Sequence, residues 1–286
     1  MDSSRIWLST GASSGFGRLM TELALKKGDK VVATLRKPDA IAYLTSVFSA
    51  ERLLPIALDV TKRDQVKDAF AKAFDHFGRI DIVFNNAGVL LLAEIEATSE
   101  EDARAMFEVN FWGASHVTQE SLRVFREENK PRGGRLIQAS SGAGALGTPA
   151  NGYYCATKHA LEGLSEAAMD EVDPSWNIKV TIVQFGAFRT KILGENVNIT
   201  PNHPAYDGKE FASWQIRKFL MSSRVTGDAE KAIVQVERLS RLENPPRRLL
   251  LGKTLLPIVR KKVHGYMSEL DSYESWSDDL DIEAAK

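Results

Sequence analysis

Six short apolar runs recur along the chain, centred near Ile6, Val31, Leu54, Ile82, Leu136 and Val180, and each is followed by a helix-like segment or a loop. The first leads through a glycine-rich turn into RLMTELALKKG, and the fourth precedes a long helical stretch, EEDARAMFEVNFWGASHVTQESLRVFREE. Near-continuous apolar runs suit strands buried on both faces, and their alternation with helices predicts a parallel sheet. The expected fold is α/β, a single Rossmann-type, doubly wound parallel sheet with helices on both faces, spanning residues 1–286 as one domain.

After Thr190 the alternation breaks into a stretch rich in Asn, Pro and Gly that carries Tyr206, Phe211, Trp214 and Phe219. Long irregular segments in α/β domains often cover sites, so a substrate lid is expected at about 190–226. Packing of those aromatics onto the body is an equally available and compatible reading. Beyond Asp228 come a helix (AEKAIVQVERLSRL), a turn at Asn244-Pro245-Pro246, a strand-like RRLLLG and a final segment, TLLPIVRKKVHGYMSEL. This C-terminal extension, at about 245–286, is expected to end in a partly buried helix. Membrane-surface contact through Arg260, Lys261 and Lys262 is disfavoured by the acidic tail that follows.

The composition narrows the classes of partner. The formal net charge is −1, and 37 Lys and Arg are spread along the chain without a basic footprint for nucleic acid. The single cysteine, Cys155, excludes an intrachain disulfide and fits a reducing compartment. No apolar stretch approaches a membrane span, and the first strand begins within a few residues of Met1, so the expected location is the cytoplasm. The five histidines fall at no metal-ligand spacing, and no metal is expected.

The chemistry concentrates in SSGAGALGTPANGYYCATK. From Asn151 onward the chain is helical in pattern, so Tyr154 and Lys158, four residues apart, share one face. An ammonium near a phenol favours the phenolate, which would lower the Tyr154 pKa and make it a usable general acid or base. Ser141, thirteen residues upstream of Tyr154, would polarise a carbonyl oxygen. A surface Tyr/Lys pair on an amphipathic helix is the alternative when the pair is considered alone.

Other segments supply a cofactor site. TGASSGFG follows the first strand, and Gly11, Gly15 and Gly17 let backbone N–H groups and a helix N-terminus hold a pyrophosphate. IDIVFNNAG runs into Asn86, Ala87 and Gly88, which would floor a cofactor. Asn110 lies in an apolar helical stretch, either as a structural amide or as a functional one. The second strand ends in VVATLRKP with no acidic residue; Arg36 there suits a 2′-phosphate, which favours NADP(H) over NAD(H). A solvated basic turn is the competing explanation.

Together TGASSGFG, Asp59, NNAG, Asn110, Ser141, Tyr154-x3-Lys158 and FGAFRT resemble the short-chain dehydrogenase/reductase family over about residues 5–190. The resemblance implies a catalytic tetrad. Tyr154 would exchange the proton, Ser141 would hold the substrate oxygen, Lys158 would bind the nicotinamide ribose, and Asn110 would anchor a relaying water. It also implies cofactor contacts from Gly11, Ser13, Ser14, Gly15, Phe16, Gly17, Arg36, Asp59, Val60, Asn86, Ala87, Gly88, Tyr154, Lys158, Gly186, Phe188 and Thr190. Asp59 would contact the adenine or, alternatively, cap the next helix, with Thr61 as another cap. Phe185-Gly186 stands where the family usually has Pro-Gly.

Substrate contacts are expected from Ser141, Tyr154, Leu146, Phe188, Tyr206 and Trp214, and the apolar surroundings imply a hydrophobic ketone, aldehyde or secondary alcohol. The C-terminal part resembles that of hydroxysteroid-type reductases. Family members assemble as dimers or tetramers through the long helices starting near Glu100 and Asn151, so a homodimer or homotetramer is expected. The leading expectation is an NADP(H)-dependent carbonyl reductase. An NAD-dependent alcohol dehydrogenase of the same family and a non-catalytic dinucleotide sensor are the alternatives.

Overall fold

The computed structural model describes residues 4–193 and 197–282. In chain order the strands are β1 (Ile6–Thr10), β2 (Lys30–Leu35), β3 (Leu53–Ala57), β4 (Ile82–Asn85), β5 (Leu90–Leu92), β6 (Gly134–Ser141), β7 (Ile178–Phe185), β8 (Val197–Ile199) and β9 (Arg248–Leu251). The helices are α1 (Gly15–Lys26), α2 (Ala42–Thr45), α3 (Arg63–Phe77), α4 (Glu100–Phe107), α5 (Ala114–Arg123), α6 (Gly152–Glu171), α7 (Ala212–Leu220), α8 (Ala229–Leu239) and α9 (Leu255–Tyr273).

Seven strands form one sheet in the order β3-β2-β1-β4-β6-β7-β9, and every neighbouring pair is parallel. Parallel strands need crossovers, and the helices between them cover both faces. All five residues of β1 are buried, because successive side chains enter opposite cores. Trp7 joins Met20, Leu25, Phe84, Ile233 and Val236 on one side, while Leu8 joins Val32, Phe70, Val117, Phe125 and Leu136 on the other. The doubly wound architecture is therefore as the apolar pattern implies, and every predicted strand is present.

Three features differ from the pattern-based expectation. The helix over residues 100–128 is not uniform: π-helical turns at Glu108–Gly113 and Val124–Glu128 flank α5. The stretch around 190–226 is more ordered than its Asn, Pro and Gly content suggests. β8 pairs in parallel with β5, α7 follows, and Arg217 of α7 is buried against Glu94 with Nη2 2.7 Å from the carboxylate.

The third difference is α9, where no residue is buried. Its first turn meets the body, where a Cβ on Gly142 would come within 2.5 Å of Leu255. Val259 is half-buried, and from Arg260 to Tyr273 every position is exposed among the described residues. The expectation of a partly buried final helix therefore holds only at its start, through Leu255 and Val259, and is corrected beyond it. Among the described residues, no helix is long and apolar enough to cross a membrane.

Candidate active site

The motif loops gather at the carboxyl ends of the strands, where open α/β sheets place their ligands. The turn after β1 is close-packed. Gly11 has φ +68° beside Ala87, and a Cβ on Gly17 would lie 2.4 Å from the Gly11 carbonyl. Only glycine permits this approach between loop and helix. α1 then begins at Gly15 with Ser14 at the N-cap, no side-chain cap and no acidic residue in its first turn. Ser13 is exposed at the crest of the loop, and Phe16 lies one position inside the helix.

Thr10 ties this loop to the next one. Its hydroxyl accepts from Asn86 N at 2.8 Å and Ala87 N at 2.9 Å, while Asn86 Nδ2 donates to the Thr10 carbonyl at 2.8 Å. Thr10 was legible within TGASSGFG, but its bridging role depends on the adjacency of β1 and β4, which local spacing does not show.

Asp59 accepts from Thr61 N at 3.0 Å and Thr61 Oγ1 at 2.9 Å through the same oxygen. Neither residue caps α3, whose N-cap is Lys62 without a side-chain cap. Val60 is buried, with its carbonyl 3.2 Å from His116 Nδ1. Arg36 sits exposed on the bend after β2 and makes no hydrogen bond or ion pair among the described residues.

The fit to a dinucleotide is direct: a helix start free of acid faces the glycine loop, and an unengaged guanidinium stands at the end of β2. A helix N-terminus and a free Arg are the groups that a pyrophosphate and a 2′-phosphate require.

Tyr154 and Lys158 project from α6 as the four-residue spacing requires, and Ser141 is the last residue of β6. The Ser141 hydroxyl accepts from Ala143 N at 3.2 Å and borders the same cavity as the Tyr154 phenol, whose pKa it lowers. Lys158 is buried and donates from Nζ to the Ala139 carbonyl of β6 at 2.9 Å, with Nζ 5.8 Å from the centre of the Tyr154 ring.

The electrostatics differ from the pattern-based expectation. Tyr154 keeps some open surface toward the cavity, yet protein surrounds it closely enough that burial pushes its pKa up to about 12, against the Ser141 hydroxyl, which lowers it. The Lys158 ammonium is directed to a carbonyl rather than to the phenol. Burial pulls Lys158 down to about 8, and the Glu162 carboxylate opposes that fall.

Asn110, fully buried in the first π-turn, accepts from Val89 N at 2.8 Å and donates to Val89 O at 2.9 Å and to Thr157 Oγ1 at 3.2 Å. Its side-chain amide therefore clamps the loop after β4 to α6. π-turns inside helices often mark functional positions.

Glu162 was not singled out by the sequence. It is buried one turn beyond Lys158, accepting from Ser140 Oγ at 2.5 Å and Gln184 Nε2 at 2.8 Å, with Arg248 Nε 3.5 Å away. A Glu in a helical ALEGLSE run looks like a solvated face until β6 and β7 are placed beside it.

A cavity of about 430 Å³ joins these residues. Asn86, Gly88, Ser141, Tyr154, Lys158, Gly186, Phe188 and Thr190 border it, with Leu90 and Leu146 as apolar wall. Tyr206 and Trp214 do not line it. Tyr206 packs on His203 and Phe211, and Trp214 carries the Lys218 ammonium over its ring. The face of α7 toward the cavity instead presents Ile216, Phe219 and Leu220, and the first turn of α9 adds Leu255 and Ile258. Trp214 lies off that face by the helical period.

Phe185, in the place of the family's proline, stacks on Phe16 at 4.1 Å between ring centres, and Phe188 meets both rings edge-on. The turn stays anchored, since Gly186 N donates to the Leu251 carbonyl at 2.8 Å. Cys155 is buried, and burial raises its pKa, as for an ordinary small helix residue.

Comparison with known proteins places the chain in a family. The short chain dehydrogenase family model matches residues 5–199. The chain is 38% identical over 265 residues to the uncharacterized oxidoreductase C162.03 of Schizosaccharomyces pombe, covering 93% of this chain and 88% of that protein. It is 34% identical to a short-chain dehydrogenase from Streptomyces avermitilis, with a TM-score of 0.87 over 98% of this chain and 100% of the other. A short chain dehydrogenase/reductase from Burkholderia phymatum, in complex with NAD, shares the fold at 22% identity and a TM-score of 0.75, covering 99% of each chain. The protein belongs to the short-chain dehydrogenase family. Within it, the chain is an oxidoreductase.

Proposed function

We propose that this oxidoreductase is NADP(H)-dependent and reduces a hydrophobic ketone or aldehyde, or oxidises the matching alcohol. The observation that carries the reading is that Ser141, Tyr154 and Lys158 border one largely apolar cavity, with Lys158 buried and its Nζ held on the Ala139 carbonyl. NADPH, when bound, supplies the hydride that forms the new C–H bond at the carbonyl carbon. Ser141 holds the carbonyl oxygen, and Tyr154 gives that oxygen its proton. A phenol whose pKa is pushed up to about 12 is fully protonated at neutral pH, which suits the acid role in reduction.

Arg36, exposed and unengaged, would take the 2′-phosphate and favours NADPH over NADH. Ile216, Phe219 and Leu220 close the substrate end with apolar surface and exclude water. A cytoplasmic location and a homodimer or homotetramer through the long helices beginning at Glu100 and Gly152 accompany this reading; Trp112, 49% exposed on the first of them, is a natural contact.

The test is NADPH consumption against a panel of apolar ketones, aldehydes and quinones, with NADH in parallel. Turnover with NADPH on apolar carbonyls is expected. Faster turnover with NADH would reverse the cofactor assignment, and a preference for small charged acids would overturn the substrate class.

A further inference from the structure

Helix α9 carries an apolar seam that stands largely exposed among the described residues, with Val259 half-buried near its start and Tyr273 edge-on to Trp276 at its end. Leu256, Val259, Val263, Tyr266, Leu270 and Tyr273 follow one another at alternating spacings of three and four residues. That is the a/d pattern by which one helix packs along another. Val263 is 55% exposed, Tyr266 61%, Leu270 49% and Tyr273 57%. Single exposed apolar residues are ordinary, whereas a continuous row of them along 19 residues, about 28 Å of helix, marks a contact surface.

The charges on the same helix choose the occupant. Arg260, Lys261 and Lys262 flank the first half of the seam; Glu269, Asp271 and Glu274 flank the second. A helix with a basic half and an acidic half is complementary to itself when reversed. We propose that α9 pairs antiparallel with α9 of a second copy of this chain, about a two-fold axis near residues 264 and 265. Leu256 then faces Tyr273 of the second copy, Val259 faces Leu270, Val263 faces Tyr266, and the seam is flanked on one side by Arg260 with Glu274 of the second copy and on the other by Lys262 with its Glu269. A parallel pair would set like charges side by side, and an anionic membrane surface would repel the acidic half.

The pairing reaches the catalytic cavity. The first turn of α9 supplies Leu255 and Ile258 to its wall, and Lys262 Nζ donates to the Ala145 carbonyl at 2.6 Å, next to Leu146. A two-fold contact along α9 therefore braces one side of the substrate site from outside. This surface is separate from the helices beginning at Glu100 and Gly152.

Cysteine cross-linking of the full chain tests the arrangement, because the native Cys155 is buried. Three variants are oxidised: Val259→Cys, Leu270→Cys and the double variant. Val263 and Leu270 are exposed and Val259 is half-buried, and circular dichroism checks that each variant keeps its helix content. The double variant is expected to form a two-chain species, and the single variants are expected to stay at background. Val263→Asp added to the double variant should lower the linked fraction at least about tenfold, since it places a charge in the seam. No linking by the double variant, equal linking by Leu270→Cys alone, or monomeric wild-type protein held on phosphatidylserine vesicles would each overturn the proposal.

Discussion

Lys158 and Glu162 lie one turn apart on α6, both buried, and the carboxylate opposes the fall in the lysine's pKa that burial causes. With Lys158 at about 8 and Tyr154 at about 12, the lysine is the first of the two to lose its proton as pH rises. The pH profile of kcat/KM for reduction, which reports the free enzyme, should therefore fall above an apparent pKa near 8. Glu162→Gln keeps the shape and the capacity to bond Ser140 but removes the charge that raises the lysine. Its alkaline limb should move to lower pH. An unmoved limb would separate Glu162 from the protonation of Lys158.

The proposed preference for NADPH rests on Arg36. Arg36→Asp removes a charge-assisted contact to the 2′-phosphate, an interaction worth about 1.5–3 kcal/mol, and puts a like charge in its place. The Kd for NADPH should rise by roughly tenfold to more than a hundredfold, while that for NADH stays level or improves. Titration of both cofactors by fluorescence decides it; equal losses would remove Arg36 from cofactor discrimination.

Helix α7 places two aromatic residues differently with respect to the cavity. Phe219 lines the cavity, and Trp214 does not. Burying an aromatic or aliphatic side chain contributes about 1.5–3 kcal/mol, so Phe219→Ala should raise KM for an apolar carbonyl by roughly tenfold or more. Trp214→Ala should leave KM within a few-fold. The opposite ranking would mean that α7 turns its other face to the substrate.

The Glu94–Arg217 pair anchors the same helix. Burial raises the Glu94 pKa, but the Arg217 hydrogen bonds outweigh it and hold the carboxyl below its ordinary value. A depressed carboxylate pKa contributes stability that is present above the unfolded value and lost as pH falls through the folded one. Removing one partner of a buried pair costs about 3–5 kcal/mol because the other is left uncompensated. Arg217→Met should accelerate proteolytic cleavage around residues 200–225 well before the sheet unfolds. Cleavage at the wild-type rate would show that the pair does not hold the lid.

Much of this was legible in the sequence because the determinants are local. A Tyr and a Lys four residues apart share a helix face wherever the helix lies, and an apolar run between a turn and a helix forms a strand in almost any α/β sheet. What remained hidden depends on distant neighbours. Trp214 and Ile216 are equally apolar, and only the position of the cavity shows which faces it. The Tyr154 pKa rises because the fold surrounds the phenol and turns Lys158 toward Ala139, which no spacing encodes. The stripe on α9 has the same period whether it faces a core, a membrane or another chain, so its exposure became apparent only when the sheet edge was in place.

The proposed role of Tyr154 as proton donor is tested by Tyr154→Phe. The substitution deletes one oxygen from the cavity floor, keeps the ring that Lys158 Nζ approaches at 5.8 Å, and touches neither the glycine loop nor Arg36. NADPH binding should therefore be nearly unchanged. General acid catalysis contributes about 10²–10⁴-fold, and Ser141 keeps its hydroxyl but loses the phenol beside it, so kcat should fall by at least that range. Binding without turnover would locate the loss in proton transfer. Turnover near the wild-type rate would mean that the proton comes from elsewhere, and that the hydroxyl of Tyr154 serves only to fix Ser141.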